Sequence, residues 1–186
     1  MDVFLFTVFN GVLYGMLLFM LSSGLTLIFG MMGVLNFAHA SFYMLGAYFA
    51  YQISEYVGFY PALIIAPLII AVLGAYVEKY GLRRVHKFGH VAELLFTFGL
   101  FYIIEEIVQM IWGKVPVGYH IPESMNFSLF NLMGTSYPAY QIFVLTVSVF
   151  IFAGLFAVLT KTRAGLIIKA ALTHPETVSA LGHNVP

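Results

Sequence analysis

Three groups of polar side chains stand inside otherwise apolar runs. His39 follows Asn36 and precedes Ser41 at the start of one run. An imidazole, a carboxamide and a hydroxyl in such close succession can hold a polar solute beside a broken membrane helix. They can equally bond to neighbouring backbone and pin the break itself. Both readings stay open. No second ligand stands at usable spacing from His39, so no metal site is expected. Glu105 and Glu106 form the second group. A carboxylate in apolar surroundings is costly and faces protein or water, so one of the two is expected to point inward. Gln109 stands at i+4 from Glu105 and i+3 from Glu106, where it can share a helix face with either and donate a hydrogen bond. Asn36, His39, Ser41, Glu105 and Glu106 are therefore the candidate pathway residues, with packing between helices as the other role for the carboxylates. Glu93, the third case, is expected to pair with Arg83, Arg84 or Lys87.

The elements that carry these residues follow from composition. Of 186 residues 61% are apolar and 9% are charged, against roughly 45–50% and 25% in a soluble domain. With 19 Phe, 12 Tyr and 9 Met, the chain has too little polar surface to cover itself in water, whereas a bilayer solvates such a surface directly. The expectation is an integral membrane protein. Net charge is zero and there is no nucleic-acid footprint. With no cysteine, disulfides, thiol catalysis and thiolate metal sites are excluded. The N-terminus lacks the basic stretch and small-residue cleavage site of a secretory signal, so the first apolar run is expected to be retained as a span.

Five apolar stretches separate, near residues 3–29, 37–54, 61–78, 91–112 and 139–160, each close to the roughly 20 residues a helix needs to cross the hydrocarbon. The first is long and interrupted by Asn10-Gly11 and Ser22-Ser23-Gly24, so it holds either a tilted span or a short helix followed by a span. Asn36 is placed to cap the helix beginning at Phe37. The depth of the break over 30–36 stays undecided, because no Lys or Arg lies within 30–54. Glycines such as Gly11, Gly15 and Gly46 are expected to let helices approach closely. Pro61 suits a first helical turn, and Pro67 is expected to bend the third span.

Lys79, Arg83, Arg84 and Lys87 lie between the third and fourth spans, and Lys161, Arg163 and Lys169 follow the fifth. By the positive-inside rule both clusters face the cytoplasm. Tyr56, Tyr60, Trp112, Tyr119, Tyr137 and Tyr140 then gather at the outer boundary, where amphipathic rings prefer to sit. The outer loop over 113–138, rich in Gly and Pro, reads as an ordered connector or a small docking cap.

Residues 161–186 differ sharply in composition. Residues 164–172 can form a short amphipathic helix, Thr173-His174-Pro175 punctuates it, Pro175-Glu176 makes a good first turn for a second helix, and Gly182 is placed to end that one. The result is a jointed pair of helices on the cytoplasmic side. It either lies on lipid head groups through Lys161, Arg163 and Lys169, or inserts into a soluble partner and transmits its motion.

Gly24-Leu25-Thr26-Leu27-Ile28-Phe29-Gly30, followed by Gly33-Val34-Leu35-Asn36-Phe37-Ala38-His39-Ala40-Ser41-Phe42-Tyr43-Met44-Leu45-Gly46-Ala47-Tyr48, closely resembles the N-terminal signature of branched-chain amino acid ABC permeases, nearest the first of their two permease types. Thr162-Arg163-Ala164-Gly165 and the run from His174-Pro175-Glu176 to Leu181-Gly182-His183-Asn184-Val185 resemble that family's cytoplasmic coupling loop. Ala40 departs mildly from it, many relatives having Gly there. The family's subunits continue with further spans, so by resemblance the chain is expected to be truncated at its C-terminus.

The resemblance implies an all-α, polytopic integral membrane helical bundle, with about five spans here and a cytoplasmic pair of coupling helices. Residues 1–160 form the transmembrane permease domain and 161–186 the coupling loop. It implies a permease subunit of an importer in the cell (inner) membrane for branched-chain amino acids or related small polar solutes. Expected partners are a second homologous permease subunit, two cytoplasmic ATP-binding subunits, an extracytoplasmic solute-binding protein and membrane lipid. ATP hydrolysis would fall to the partners, since this chain lacks the Gly-x-x-x-x-Gly-Lys-Ser/Thr phosphate loop, and neither enzyme activity nor a cofactor is expected of it. Arg163, Gly165, Leu172, His174, Pro175, Glu176 and Gly182 would carry the coupling. The alternative is a proton-coupled secondary transporter using Glu105, Glu106 and His39 as a relay.

Overall fold

The computed structural model describes residues 2–32, 35–132, 135–163, 165, 166 and 170. Helices dominate them: α1 (Asp2–Met32), α2 (Ala38–Val57), α3 (Phe59–Val77), the short α4 (Arg83–Val85), α5 (His90–Trp112) and α6 (Ala139–Lys161). Four segments are long and apolar enough to cross a membrane: Phe6–Gly30, Phe59–Phe88, His90–Trp112 and Ala139–Lys161. The fifth long helix, α2, is more polar, carrying His39, Gln52, Ser54 and Glu55. The chain divides into two compact units, Val34–His120 and a unit made of Met1–Gly33 with Ile121–Pro186.

In the second of these, α1 resolves the ambiguity of the first apolar stretch by running as one helix through both polar interruptions. Around the second of them hydroxyls bond to the helix's own backbone: Ser23 Oγ donates to Met20 O at 2.9 Å and Thr26 Oγ1 to Ser22 O at 2.8 Å. At 31 residues it is about 46 Å long, well beyond a hydrocarbon core of roughly 30 Å, so it tilts or projects. Tyr137 packs edge-on against Phe6 and Phe9, and Phe19 against Phe152. These pairings advance together along both chains, so α1 and α6 run parallel. Between them in sequence lies an element the all-α expectation missed, an antiparallel hairpin of β1 (Ser128–Leu132) and β2 (Thr135–Pro138), with an irregularity between Ser128 and Phe130. The Ala139 N–H donates to Phe127 O at 2.9 Å, tying the hairpin base to the start of α6.

The 34–120 unit is a three-helix bundle. The chain reverses at Gly58 between α2 and α3, and again through a π-helical turn (Glu78–Leu82), α4 and a 3-10 turn (His86–Phe88) that ends at Gly89. Helix α3 continues unbroken through Pro67. Phe37 meets Phe98 while Tyr48 and Phe49 meet Trp112, so α2 and α5 run parallel, with α3 antiparallel to both. Leu45, Ile104 and Val108 form the buried core. Of the glycines expected to permit close packing, Gly46 lies in contact range of Ile70, whereas a Cβ on Gly11 or Gly15 would meet nothing within 4 Å.

Candidate functional site

Three local structures hold the residues of interest. The first is the start of α2. Asn36 Oδ1 accepts the Ala38 N–H at 3.0 Å and Asn36 O accepts the His39 N–H at 3.1 Å, so the expected cap forms and satisfies donors that a helix start leaves open. Because Phe37 packs on Phe98, this start lies about two turns, or 12 Å, along α5 from its own beginning at His90. The start of α2 therefore falls inside the length of α5, a helix long and apolar enough to cross a membrane. His39 is half-buried beside it. Ser41 is 1% exposed, on the packed stripe with Ala38 and Leu45, and its Oγ has no hydrogen-bond partner.

The second structure is the outer half of α5. Gln109 Nε2 donates to Glu105 Oε1 at 3.3 Å. Glu105 is half-buried and Glu106 exposed, so the carboxylate that turns toward protein is Glu105. Glu105 lies about two turns beyond Phe98, roughly 10 Å along the helix axis from the level at which α2 begins.

The expectation for Glu93 needs correction. It is completely buried and does not pair with a lysine or arginine. Its Oε1 meets Nδ1 of His86, and its Oε2 lies 3.4 Å from Nδ1 of His90. Arg83 instead donates from Nε to Glu78 Oε1 at 2.6 Å. The cause is geometric: the chain reverses at Gly89, whose φ of 89° is open to glycine and strained for other residues, and this swings the His86 ring rather than a longer cation onto the first turn of α5.

The third structure is the corner after α6. Thr162 is extended (φ −112°, ψ 159°). Its Oγ1 donates to Val158 O at 2.6 Å and accepts the Gly165 N–H at 3.2 Å, while Thr162 O accepts the Leu166 N–H at 3.1 Å. One hydroxyl thus closes the last turn of α6 and caps the turn that follows. Gly165 is buried against the end of α6. A Cβ there would stand 2.3 Å from Val158 O and 2.4 Å from Leu159 O, so no other residue fits without moving backbone. Arg163 is exposed. Leu172, His174, Pro175, Glu176 and Gly182 lie outside the described residues.

A family model described as "Branched-chain amino acid transport system / permease component" matches residues 7–186. The chain belongs to this family. A probable branched-chain amino acid transport permease protein LivH of Methanocaldococcus jannaschii is 27% identical over 188 residues, covering 95% of this chain and 57% of that protein. The high-affinity branched-chain amino acid transport system permease protein LivH of Escherichia coli is 26% identical over 125 residues, covering 60% and 39%. The corresponding protein BraD of Pseudomonas aeruginosa is 20% identical over 187 residues, covering 94% and 61%. The chain thus spans less than two thirds of the length of each. No solved structure matches it. As a family member with several spanning helices, it is a multi-pass protein of the inner membrane.

Two residues of this family member carry roles that the sequence alone did not mark. Thr162 was quoted only as part of a motif, although a threonine three residues before a tightly placed glycine is a recognisable helix-start signal. His86 carried no usable signal, because its approach to Glu93 depends on the turn between them.

Proposed function

We propose that the chain serves in the membrane-spanning permease of an ATP-driven importer of branched-chain amino acids or related small polar solutes. The observation that carries this reading is the family match over residues 7–186, which takes in both the helices and the corner after α6. Residues 1–160 would form part of the translocation unit, together with a second homologous permease subunit, and an extracytoplasmic binding protein would deliver the solute. Two cytoplasmic ATP-binding subunits would hydrolyse ATP. Residues 161–186 would engage them, through Arg163, Gly165, Leu172, His174, Pro175, Glu176 and Gly182. The rigid fit of Gly165 against Val158 and Leu159 supports this: a segment docked on the last turn of α6 can pass displacement to that helix, and coupling needs only that two permease states differ in affinity for the ATPase states. Asn36, His39, Ser41, Glu105 and Glu106 are the proposed pathway residues. The proton-driven carrier is not favoured, since the relatives described above carry the names of amino acid transport permeases.

Uptake by the full-length protein in vesicles should require ATP, the ATP-binding subunits and the binding protein. Sustained uptake from a pH gradient alone would overturn the importer reading. Gly165→Val should reduce co-purification of the ATP-binding subunits by about tenfold, the equivalent of about 1.4 kcal/mol, while membrane insertion is retained. Unchanged co-purification would count against the coupling role.

A further inference from the structure

Length and charge together fix the depth of the turn between α3 and α5. The segment Phe59–Phe88 is 30 residues long, but its uncharged part, α3, is 19. Those residues rise about 28 Å, close to the roughly 30 Å of a hydrocarbon core. Helix α3 alone therefore fills the core, and the stretch from Glu78 onward, too charged for hydrocarbon, lies beyond it among lipid head groups. That stretch does not leave this level. A π-helical turn, α4 and a 3-10 turn fold it back at Gly89, and α5 returns as an apolar helix from His90. A Cβ on Gly81 would stand 2.5 Å from the tip of the Phe96 ring, so the π-helical turn is packed down on α5.

Four Lys and Arg side chains share this turn with one carboxylate. Two of them are engaged. Arg83 stands at i+5 from Glu78, the spacing a π-helical turn closes, and both its backbone N–H and its guanidinium bond to Glu78. Lys79 lies over the Tyr80 ring, 5.5 Å from its centroid. Arg84 and Lys87 are exposed and form no ion pair among the described residues. They stand three residues apart across α4 and the 3-10 turn, so they share one face. Phe88 follows them, an apolar ring 80% exposed beside two uncompensated cations at the edge of the hydrocarbon.

We propose that Arg84 and Lys87 clamp the phosphate of an anionic phospholipid, with its glycerol and upper acyl chain resting on Phe88. Charge complementarity selects this occupant. Arginine offers a planar fork of donors that matches two phosphate oxygens, and lysine adds a point charge. A zwitterionic lipid has the same phosphate but brings its own cation, which competes with both side chains and is repelled by them. Each basic group held at the surface favours an anionic lipid by about fivefold. The acidic face of a soluble partner fits less well, because the folded-back turn keeps both cations at the level where lipid phosphates lie. The site rests on the membrane location of the chain and not on what the chain transports.

The full-length protein, purified and mixed with equimolar dioleoyl phosphatidylglycerol and dioleoyl phosphatidylcholine, tests this by native mass spectrometry of the retained lipid. The anionic lipid should be retained over the zwitterionic one by about tenfold or more. Arg84→Gln combined with Lys87→Gln should reduce that preference by about fivefold or more. Should the double variant not be recovered, each single replacement should reduce it by about twofold or more. Lys114→Gln, beyond the other end of α5, should leave it unchanged, and a large excess of inorganic phosphate should not displace the lipid. An undiminished preference in the variants, an equal loss with Lys114→Gln, or displacement by phosphate overturns the proposal. So does retention of the lipid by a double variant that loses the ATP-binding subunits on purification, which would give the two cations to a protein partner. None of the lipid readings uses ATP or transport, so the lipid site and the importer function fail independently.

Discussion

The two ends of the 34–120 bundle are finished with different chemistry. At the end where α2 turns into α3 and α5 stops at Gly113, the contacts are aromatic and neutral. Tyr48 and Phe49 pack on Trp112, Tyr51 and Phe59 on Tyr119, and Trp112 Nε1 donates to Gln52 Oε1 at 3.1 Å. The opposite end carries Lys79, Arg83, Arg84 and Lys87, and there Glu93 is buried against His86 and His90. Aromatic rings with one polar edge suit a membrane boundary without carrying charge across it, while basic side chains are retained on the side where positive charge accumulates. The contrast is one of charge: one end is joined by rings and a carboxamide, the other by a carboxylate enclosed against two imidazoles.

The most severe way to break the comparison is Glu93→Lys. It leaves a cation in a fully enclosed position between two histidines, and breaking a buried charge pair costs about 3–5 kcal/mol. The expected outcome is loss of monodisperse, membrane-extracted protein on size exclusion; recovery at the level of the unaltered chain would show that the site is open to solvent. At the neutral end the effects should be smaller and graded. Trp112→Ala, at a half-buried position, should cost about 2 kcal/mol, less than the 3–5 of a fully buried ring. Gln52→Leu, which removes one hydrogen bond and leaves the packing, should cost about 1 kcal/mol. Thermal unfolding in detergent should rank them in that order, with the same ranking at pH 6 and pH 8. A loss from Gln52→Leu larger than that from Trp112→Ala would show that the hydrogen bond rather than the ring packing holds that end.

Much of this architecture can be read from the sequence because lipid makes apolar length the dominant signal. All five apolar stretches became helices, and within the 34–120 unit Lys79, Arg83, Arg84 and Lys87 fall at the end opposite Trp112 and Tyr119. Information failed where spacing along the chain says nothing about direction. Asn10-Gly11 and Ser22-Ser23-Gly24 read as possible breaks, yet α1 runs through both, with hydroxyl-to-backbone bonds at the second. The β1–β2 hairpin is short, sits in a Gly- and Pro-rich loop and slips register near Ser128, so no clean alternation marks it. Glu93 was assigned to the nearest long cations, because a search by charge favours Arg and Lys and cannot foresee which ring the Gly89 reversal delivers. Among the candidate pathway residues, Asn36 and His39 do meet at one helix start, whereas Ser41 went to the packed face and Glu105 to a hydrogen bond with Gln109.

The start of α2 sharpens the comparison from a third position, since it is a helix terminus at neither end of the bundle. Helix ends normally borrow water for their open donors. About 12 Å along α5 from His90 that supply is poor, and Asn36 replaces it with its own carboxamide and carbonyl oxygens. Asn36→Ala should therefore cost about 1 kcal/mol, the usual worth of an N-cap, and Asn36→Asp should behave differently here than at a wet terminus. The aspartate keeps the accepting oxygen but brings a charge into apolar surroundings, so it should be no more stable than alanine in thermal unfolding at pH 7 and should gain on it as the carboxyl is protonated at lower pH. If Asp instead matches Asn at pH 7, the start of α2 is hydrated, and the depth drawn from the Phe37–Phe98 contact describes a water-filled cavity within the membrane.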